Sequence, residues 1–383
     1  MRVGVSNDNY PEKRTIIVDA GVEYVNFKKK NIYSYINLLN MKFFKKNKIF
    51  LFRPLMGSQE KNIDIFHVFN EIAITDRKWV VTFETELPRI LPRKNASDDS
   101  FDARLKRHSA ALMQKNCLAL IALSGAAYNL EMKLFQDNPE LLRTLREKLV
   151  VLHPPQKLYV EERKPRNAAN PVHFVFVGRD FYRKGGGEIV RAFDELLNEK
   201  KIRPEQIKVT LIGDLNKTNN YAFGKYQDDA AFARETEAAI ARYSLFDHHS
   251  VMPNDKVMQL LQEADVGLLP TWAETYGFSV LEMQSCGCPV ITTNVRALPE
   301  INPQEAGWLV KHELNEDCDY AVTSFEQRDS VRRKTVDQMK AIIEDIIQNP
   351  EQIVDKANAS IARIKNEHDV EVYQDKLRAL YNK

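Results

Sequence analysis

Short, almost wholly apolar runs alternate with longer stretches of helical period along nearly the whole chain, and this rhythm limits the fold more than any other feature. In the first half the predicted strands are residues 15–20, 48–53, 63–69, 79–83, 118–123 and 149–152, with helices over 31–44 and 101–115. In the second half strands are predicted over 173–177, 209–212, 250–252, 266–269 and 289–292. Helices over 187–199, 229–243, 255–264, 279–285 and 335–347 alternate with them. Runs that are apolar on both faces suit strands covered on both sides, and the intervening helices supply the cover. The expectation is an α/β protein of parallel sheets.

A length of 383 residues predicts two domains. The segment 161–171, with its charges, two prolines and no apolar period, reads as a linker. The divisions are then 1–165 and 166–360, two doubly wound Rossmann-like domains facing a cleft. With 44% apolar and 28% charged residues the chain is globular rather than disordered. The longest nearly apolar run, 117–127, is too short to span a bilayer, and the start lacks the charged and apolar regions of a signal peptide. Four scattered cysteines suit a reducing compartment, so a cytoplasmic location is expected. The net charge of +2 hides an asymmetry: residues 1–165 carry +9 and the remainder −7. Halves of opposite sign suggest two partners.

Chemistry concentrates in two stretches. In Leu268–Glu282 a buried strand ends at Pro270, a loop follows, and a helix begins near Ser279. Glu274 lies in the loop and Glu282 in the first helical turn. The loop also holds Thr275 and Tyr276, and the amides of Gly277 and Phe278 fall where a helix dipole favours an anion. The alternative is a capping box in which Glu282 reaches back to a Ser279 cap. In Phe174–Gly187 a strand runs into Gly178 and Arg179, and Lys184 precedes three glycines and a helix. Arg179 offers a planar fork and Lys184 a point charge to one anion. The alternative is a solvated basic turn. Glu188 stands where a P-loop needs Lys, and no Gly-x-Gly-x-x-Gly follows a strand, which argues against a dinucleotide-dependent dehydrogenase.

Together these stretches resemble the donor-binding half of a family 4 glycosyltransferase with the GT-B fold. Gly178, Arg179, Lys184 and Gly185 match its Gly-Arg-x4-Lys-Gly element, and Glu274 and Glu282 match its Glu-x7-Glu element roughly 95 residues later. Gly213-Asp214, Cys288–Ile291 and Pro299–Ile301 agree as well. The resemblance is strong over about 172–310 and architectural before that. It implies that Arg179 and Lys184 hold the donor diphosphate and that Gly277 and Phe278 bind the distal phosphate. Glu282 would accept from the ribose and Glu274 from the transferred sugar. It also implies retention of anomeric configuration by front-face attack, with no metal, no cofactor and a nucleotide-diphosphate sugar as donor. The acceptor would be a glycan or a lipid-linked glycan in polysaccharide or glycolipid synthesis. The tail from about 361 to 383 would pack back on the first domain.

The first half departs from that family's pattern. The glycine pair expected after the first strand is reduced to Gly21, and the family's histidine position corresponds to Glu84, just past the strand at 79–83. Glu84 is a site candidate; Thr85 or Glu86 instead capping a turn before Pro88 is the bland reading. Arg104 and His108 follow on a helix whose solvated face explains them equally well. Lys28–Lys30 and the run 42–48 interleave lysines with aromatics, which fits contact with the inner face of an anionic membrane or a polyanionic glycan. The alternative places the Phe43–Phe44 pair in the core. No nucleic-acid-binding module accompanies the charge. Cys286 and Cys288 have the wrong spacing for zinc, His248 and His249 read as solvated loop residues, and Trp272 walls a pocket or packs in the core. The different-class alternative is a non-catalytic nucleotide-sugar binder, with hydrolytic or epimerising chemistry as a further enzyme alternative.

Overall fold

The structure, a computed structural model, describes all residues except 44–46, 56, 58–61, 92–97 and 168, and gives the backbone alone for 98–100. It divides into two compact units. One comprises Met1–Pro155 with His368–Lys383, the other Gln156–Glu367.

The first unit opens with β1 (Arg2–Val5), α1 (Tyr10–Thr15), β2 (Glu23–Asn26), α2 (Ile32–Phe43) and β3 (Leu51–Phe52). Next come β4 (Ile65–Phe69), β5 (Ile72–Ala73), β6 (Trp79–Phe83) and α3 (Asp98–Ser109). The main run ends with β7 (Cys117–Ala122), α4 (Gly125–Leu134), α5 (Pro139–Lys148) and β8 (Leu149–Val151). Its parallel sheet runs in the order β2-β1-β4-β6-β7-β8, and β3 and β5 form a separate parallel ribbon. The strands β4 and β6 are buried at every position, as sheets covered on both faces require.

Three expectations for this unit need correction. The predicted first strand at 15–20 is the end of α1 and the turn after it, whereas the first strand is β1. Its apolar Ile16 is buried, but as the cap residue of α1. Gly21 consequently does not follow the first strand; it lies in the turn leading into β2, where its amide donates to Asp19 Oδ1 (2.8 Å). The segment 161–171 is not the crossing point, because the chain changes unit between Pro155 and Gln156. Arg163 fixes that segment within the second unit through Asp265 (3.0 Å) and the Asn358 side chain (2.9 Å).

The tail returns to the first unit only from His368, on α13 (Val370–Tyr381), rather than from 361. The Tyr381 hydroxyl shares a hydrogen bond with Nδ1 of the fully buried His67 (2.7 Å), whose Nε2 meets Thr82 Oγ1 (2.7 Å). Burial pushes His67 down to about 3, so the imidazole is neutral and needs both partners. Tyr373 donates to the Thr15 carbonyl (2.6 Å), and Arg378 pairs with Asp19 (2.6 Å).

The second unit contains β9 (Val172–Asp180), α6 (Gly186–Asn198), β10 (Ile207–Asp214), α7 (Ala230–Arg242), β11 (Phe246–His249) and α8 (Asn254–Glu263). It continues with β12 (Val266–Leu269), α9 (Phe278–Ser285), β13 (Val290–Thr293), α10 (Leu298–Ile301), β14 (Gly307–Val310), α11 (Phe325–Gln348) and α12 (Gln352–Glu367). All six strands are parallel, in the order β11-β10-β9-β12-β13-β14. The chain starts at β9, winds outward to β11, then crosses to β12 on the other side. That reversal opens a crevice beyond the carboxyl ends of β9 and β12, where ligands of such sheets bind. The core beneath is built on Phe174, Phe176, Phe181, Phe193, Leu211 and Leu268, all fully buried.

Candidate functional site

Two glycines shape the crevice. Gly185, in the left-handed region at φ +87, caps α6, and a Cβ there would lie 2.2 Å from the Pro270 carbonyl oxygen. The start of α6 therefore sits directly against the end of β12. Gly277, at φ +103, caps α9, and a Cβ there would lie 2.8 Å from Leu298 Cδ2. Two helix N-termini thus open at one topological switch point, each entered by a conformation that L side chains rarely adopt. With Gly277 as the cap, Ser279 is already the second helical residue, and the capping-box reading around Ser279 fails. The amides of Gly277 and Ser279 have no partner among the described residues.

The loop after β12 is tied to the loop after β9. The Trp272 amide donates to the Arg183 carbonyl (2.9 Å), and Thr271 Oγ1 donates to the carbonyls of Ala273 (2.9 Å) and Arg183 (3.2 Å). Arg183 Nη1 donates to the Ala273 carbonyl (2.9 Å) and Nη2 to Asp180 Oδ2 (2.5 Å). Burial opposes ionisation of Asp180, but Arg183 and Lys217 outweigh it and hold its carboxyl below the ordinary range. Sequence reasoning misses this clamp, whose only local signal is an Asp-x-x-Arg spacing on one turn.

Held in this way, Lys184 and Glu274 form an ion pair, with their side chains only 16% and 13% exposed. The attraction within an ion pair so shielded from water is less screened than that of a pair at the surface. Arg179 stands differently: it is exposed and has no ion pair among the described residues. Together with Glu282 it lines a cavity of about 660 Å³ beyond β9, β10 and β11, bounded by Gly213, Asp214, Val251 and Asn254. A Cβ on Gly213 would meet the Gly178 carbonyl at 2.4 Å, and one on Gly178 would meet the Lys184 side chain at 2.8 Å. These glycines let the strand ends approach closely beneath the cavity. Thr275 donates its amide to Glu274 Oε1 (3.2 Å). Tyr276 is buried, its ring 5.4 Å from that of Phe278, so it supports the helix start.

Other sequence candidates resolve plainly. Trp272 is 3% exposed and meets the rings of Phe223 (4.6 Å) and Tyr320 (5.3 Å), so it is a core residue. His248 lies in β11, where Nε2 donates to the Gly213 carbonyl (2.9 Å), rather than in a solvated loop. Burial pushes the Cys286 thiol up to about 12 and that of Cys288 higher still, so both stay protonated.

In the first unit, Glu84 does follow the carboxyl end of β6. Its amide donates to Asn70 Oδ1 (3.1 Å), Asn70 Nδ2 donates back to Glu84 Oε1 (3.2 Å), and Arg89 Nη1 approaches the same oxygen (3.7 Å). Asn70 adopts φ +55 at the end of β4, which allows this reciprocal pair. Thr85 caps nothing among the described residues, where its buried hydroxyl has no partner. The loop is instead fixed by Glu131 on α4, fully buried, whose Oε2 accepts from the Leu87 amide (2.6 Å).

Burial pushes the Glu131 carboxyl up to about 8, with the Leu87 amide opposing the rise and Glu86 adding to it. The unfolded chain releases this proton near the ordinary value, so stability falls as pH rises between the two values and the loss is complete above the higher one. Glu131→Gln keeps an acceptor for Leu87 and removes the titration. Its melting temperature relative to the parent is expected to rise by several degrees from about pH 5 to about pH 8; a constant difference would contradict the assignment.

A family model described as glycosyl transferases group 1 matches residues 159–342. D-inositol 3-phosphate glycosyltransferase of Paenarthrobacter aurescens is 28% identical over 127 residues, 33% of this chain and 28% of that protein. The protein of the same name from Nocardia farcinica is 28% identical over 160 residues, 41% of this chain and 34% of that one. The matches thus span about a third of the length of these curated relatives. A glycosyltransferase from Rickettsia africae superposes with a TM-score of 0.57 at 14% identity, covering 99% of this chain and 89% of that one. Anabaena HepE, solved with UDP and glucose, gives 0.54 at 13% identity over 99% and 90%. The chain has the GT-B fold, and within it the segment that carries Arg179, Lys184, Glu274 and Glu282 matches the glycosyl transferases of group 1.

Proposed function

We propose that the chain is a retaining glycosyltransferase of family 4 that moves a sugar from a nucleotide-diphosphate sugar to a glycan or lipid-linked acceptor. The observation that carries this reading is the shielded Lys184–Glu274 pair, set between two glycine-capped helix N-termini and beside the cavity of Arg179 and Glu282. The cavity takes the nucleoside, with Glu282 accepting from the ribose. The diphosphate lies across Arg179 and Lys184, and the amides at the start of α9 take its distal phosphate. Glu274 accepts from a hydroxyl of the sugar.

In the reaction the bond between the anomeric carbon and the diphosphate oxygen breaks as the acceptor oxygen bonds to the same face of that carbon. The acceptor's proton passes to the departing phosphate oxygen. Lys184 and Arg179 stabilise the charge that grows on the leaving group, and no divalent ion is required. Stabilisation of this kind by one donor is worth about 3–4 kcal/mol of barrier. Glu84, held by Asn70 and Arg89, orients the acceptor.

The test is turnover. Sugar nucleotides of uridine, guanosine, adenosine and cytidine are offered with an acceptor panel, with and without EDTA, and nucleoside diphosphate release is measured. HepE was solved with UDP, which puts uridine first. Release that survives EDTA is expected. Tight donor binding without release across the panel would favour the non-catalytic binder, and rescue of an EDTA-silenced reaction by magnesium would overturn metal independence.

Work at the inner face of an anionic membrane belongs to this proposal. The helix α2 turns Tyr35, Leu38, Leu39, Met41 and Phe43 outward, each more than half exposed, beside Lys28–Lys30, Lys42 and Lys48. Phe43 is therefore not a core residue; Phe44, Lys45 and Lys46 lie outside the described residues. Among the described residues no helix is long and apolar enough to cross a membrane. Lysines near anionic lipid contribute about 1 kcal/mol each. Leu38→Ser with Phe43→Ser is expected to reduce co-sedimentation with phosphatidylglycerol vesicles severalfold, and equal sedimentation of parent and variant would contradict the contact.

A further inference from the structure

The first unit contains a second cavity of about 660 Å³, walled by α3, the β3–β5 ribbon and Tyr33 of α2. Its rim carries Arg53, Arg89, Arg104, Arg107 and His108, against one acidic side chain among the described lining residues, Asp76. Arg53 and Arg107 are exposed and make no ion pair among the described residues. Burial, then Arg107 and Arg104, hold the His108 imidazole below its ordinary value, so these groups share one locally positive field. Arg53 and Arg107, without an ion pair among the described residues, leave positive charge that an anion would neutralise with bidentate hydrogen bonds.

The floor is of the opposite character. Ile49, Phe50, Leu51, Ile72, Ile74 and Ile90 supply it, and Ile74 is 40% exposed. Arg89 lies 5.0 Å from the centre of the Phe50 ring, which joins rim to floor, and its Nη1 is 3.7 Å from Glu84 Oε1. The cavity thus begins one side chain away from the carboxylate at the end of β6. A purely polar polyanion would leave the isoleucines against water, and a neutral lipid would leave Arg53 and Arg107 without a counter-charge.

We propose that this cavity binds a phosphorylated amphiphile, its phosphate on the arginine rim and the first carbons of its hydrocarbon chain on the Ile72–Ile74 floor. The amphiphile is the acceptor's anchor, and only that role rests on the transferase reading; the binding does not. The phosphate is held where Arg89 links it to Glu84, so the sugar-accepting end of the same molecule is oriented by that residue.

The full chain is titrated calorimetrically with dodecyl phosphate below its micellar concentration, with inorganic phosphate, and with dodecyl maltoside. Dodecyl phosphate is expected to bind at least about tenfold more tightly than either. Arg53→Ser with Arg107→Ser should weaken it by about tenfold or more, and Ile74→Asp should remove its advantage over inorganic phosphate. The thermal shift of each variant with the preferred nucleoside diphosphate reports folding and the second unit's site, and is expected to be unchanged. Equal binding of dodecyl maltoside would reduce the effect to detergent adsorption and overturn the proposal. Equal binding of inorganic phosphate would assign the rim to a soluble anion and overturn it too, as would variants that bind like the parent. If no donor is turned over but dodecyl phosphate binds as described, the cavity stands and the transferase reading falls. Turnover without selective dodecyl phosphate binding would overturn the cavity's role and leave the transferase reading standing.

Discussion

Lys184→Ala is expected to lower turnover of the nucleotide-sugar donor by about 10²–10³-fold, chiefly in kcat. The ammonium is shielded from water and paired with Glu274, and it lies where the departing diphosphate gathers charge. Its loss acts twice. It removes a cation that matters more in the transition state than in the ground state, and it leaves the Glu274 carboxylate uncompensated beside an anionic leaving group. Lys184→Arg should recover little, because a planar fork cannot replace a point charge in a site closed by the Gly178 contact with the Lys184 stem. The pairing makes a second expectation sharp. Lys184→Ala and Glu274→Ala share one interaction, so the double variant should be much less impaired than the product of the single losses. Steady-state kinetics of the three variants provide the check, and multiplicative losses would show that the two residues act independently.

Gly185→Ala should have the largest effect on stability, about 2–4 kcal/mol. Two penalties combine there: a left-handed backbone at φ +87, and a methyl group 2.2 Å from the Pro270 carbonyl, which belongs to backbone and cannot swing aside. Relief requires the start of α6 and the end of β12 to separate, which also pulls Lys184 away from Glu274. The control is Gly287, the left-handed residue after α9 at φ +68, where a built Cβ would meet nothing closer than Ile361 Cδ1 at 3.4 Å, so alanine bears the conformational term nearly alone. Gly287→Ala should cost about 1 kcal/mol. Chemical denaturation compares the two, and equal losses would mean that the approach to Pro270 is not tight.

The second unit is legible in the sequence because its strands are buried on both faces and its site helices begin beside glycines. The runs at 173–177, 209–212 and 266–269 fall on β9, β10 and β12, and the helix starts at 187, 229 and 279 are within a residue or so of those observed. The first unit is harder. The strand β2 is half exposed at an edge, with the pattern Glu-Tyr-Val-Asn, and β1 is four residues long, so neither stands out from its neighbours. The more apolar Thr15–Val18 looks like a strand instead, although Pro11 at the start of α1 points to a helix. Residues 250–252 resemble a strand because Val251 and Met252 are apolar, but β11 ends at His249 and Val251 is 82% exposed at the cavity edge.

For the site, residue types and spacing lead to Arg179, Lys184, Glu274 and Glu282, since each follows a strand end or opens a helix. What the sequence does not disclose is the interaction between them. Lys184 and Glu274 meet across 90 residues because Gly185 packs on Pro270 and Arg183 holds the Ala273 carbonyl, a relation set by tertiary contact alone. Glu131 beneath Leu87 escapes notice for the same reason: a buried glutamate 44 residues from its partner has no local pattern.

The central claim is that a nucleoside diphosphate sits at the switch point of the second unit, against Arg179, Lys184 and the start of α9. Hydrogen–deuterium exchange, followed peptide by peptide with and without the preferred nucleoside diphosphate, tests it most directly. Slowed exchange is expected only in residues 178–187, 250–254 and 271–282, with the first and last effects weakened in Lys184→Ala. Slowed exchange elsewhere, with those three segments unchanged, would contradict it.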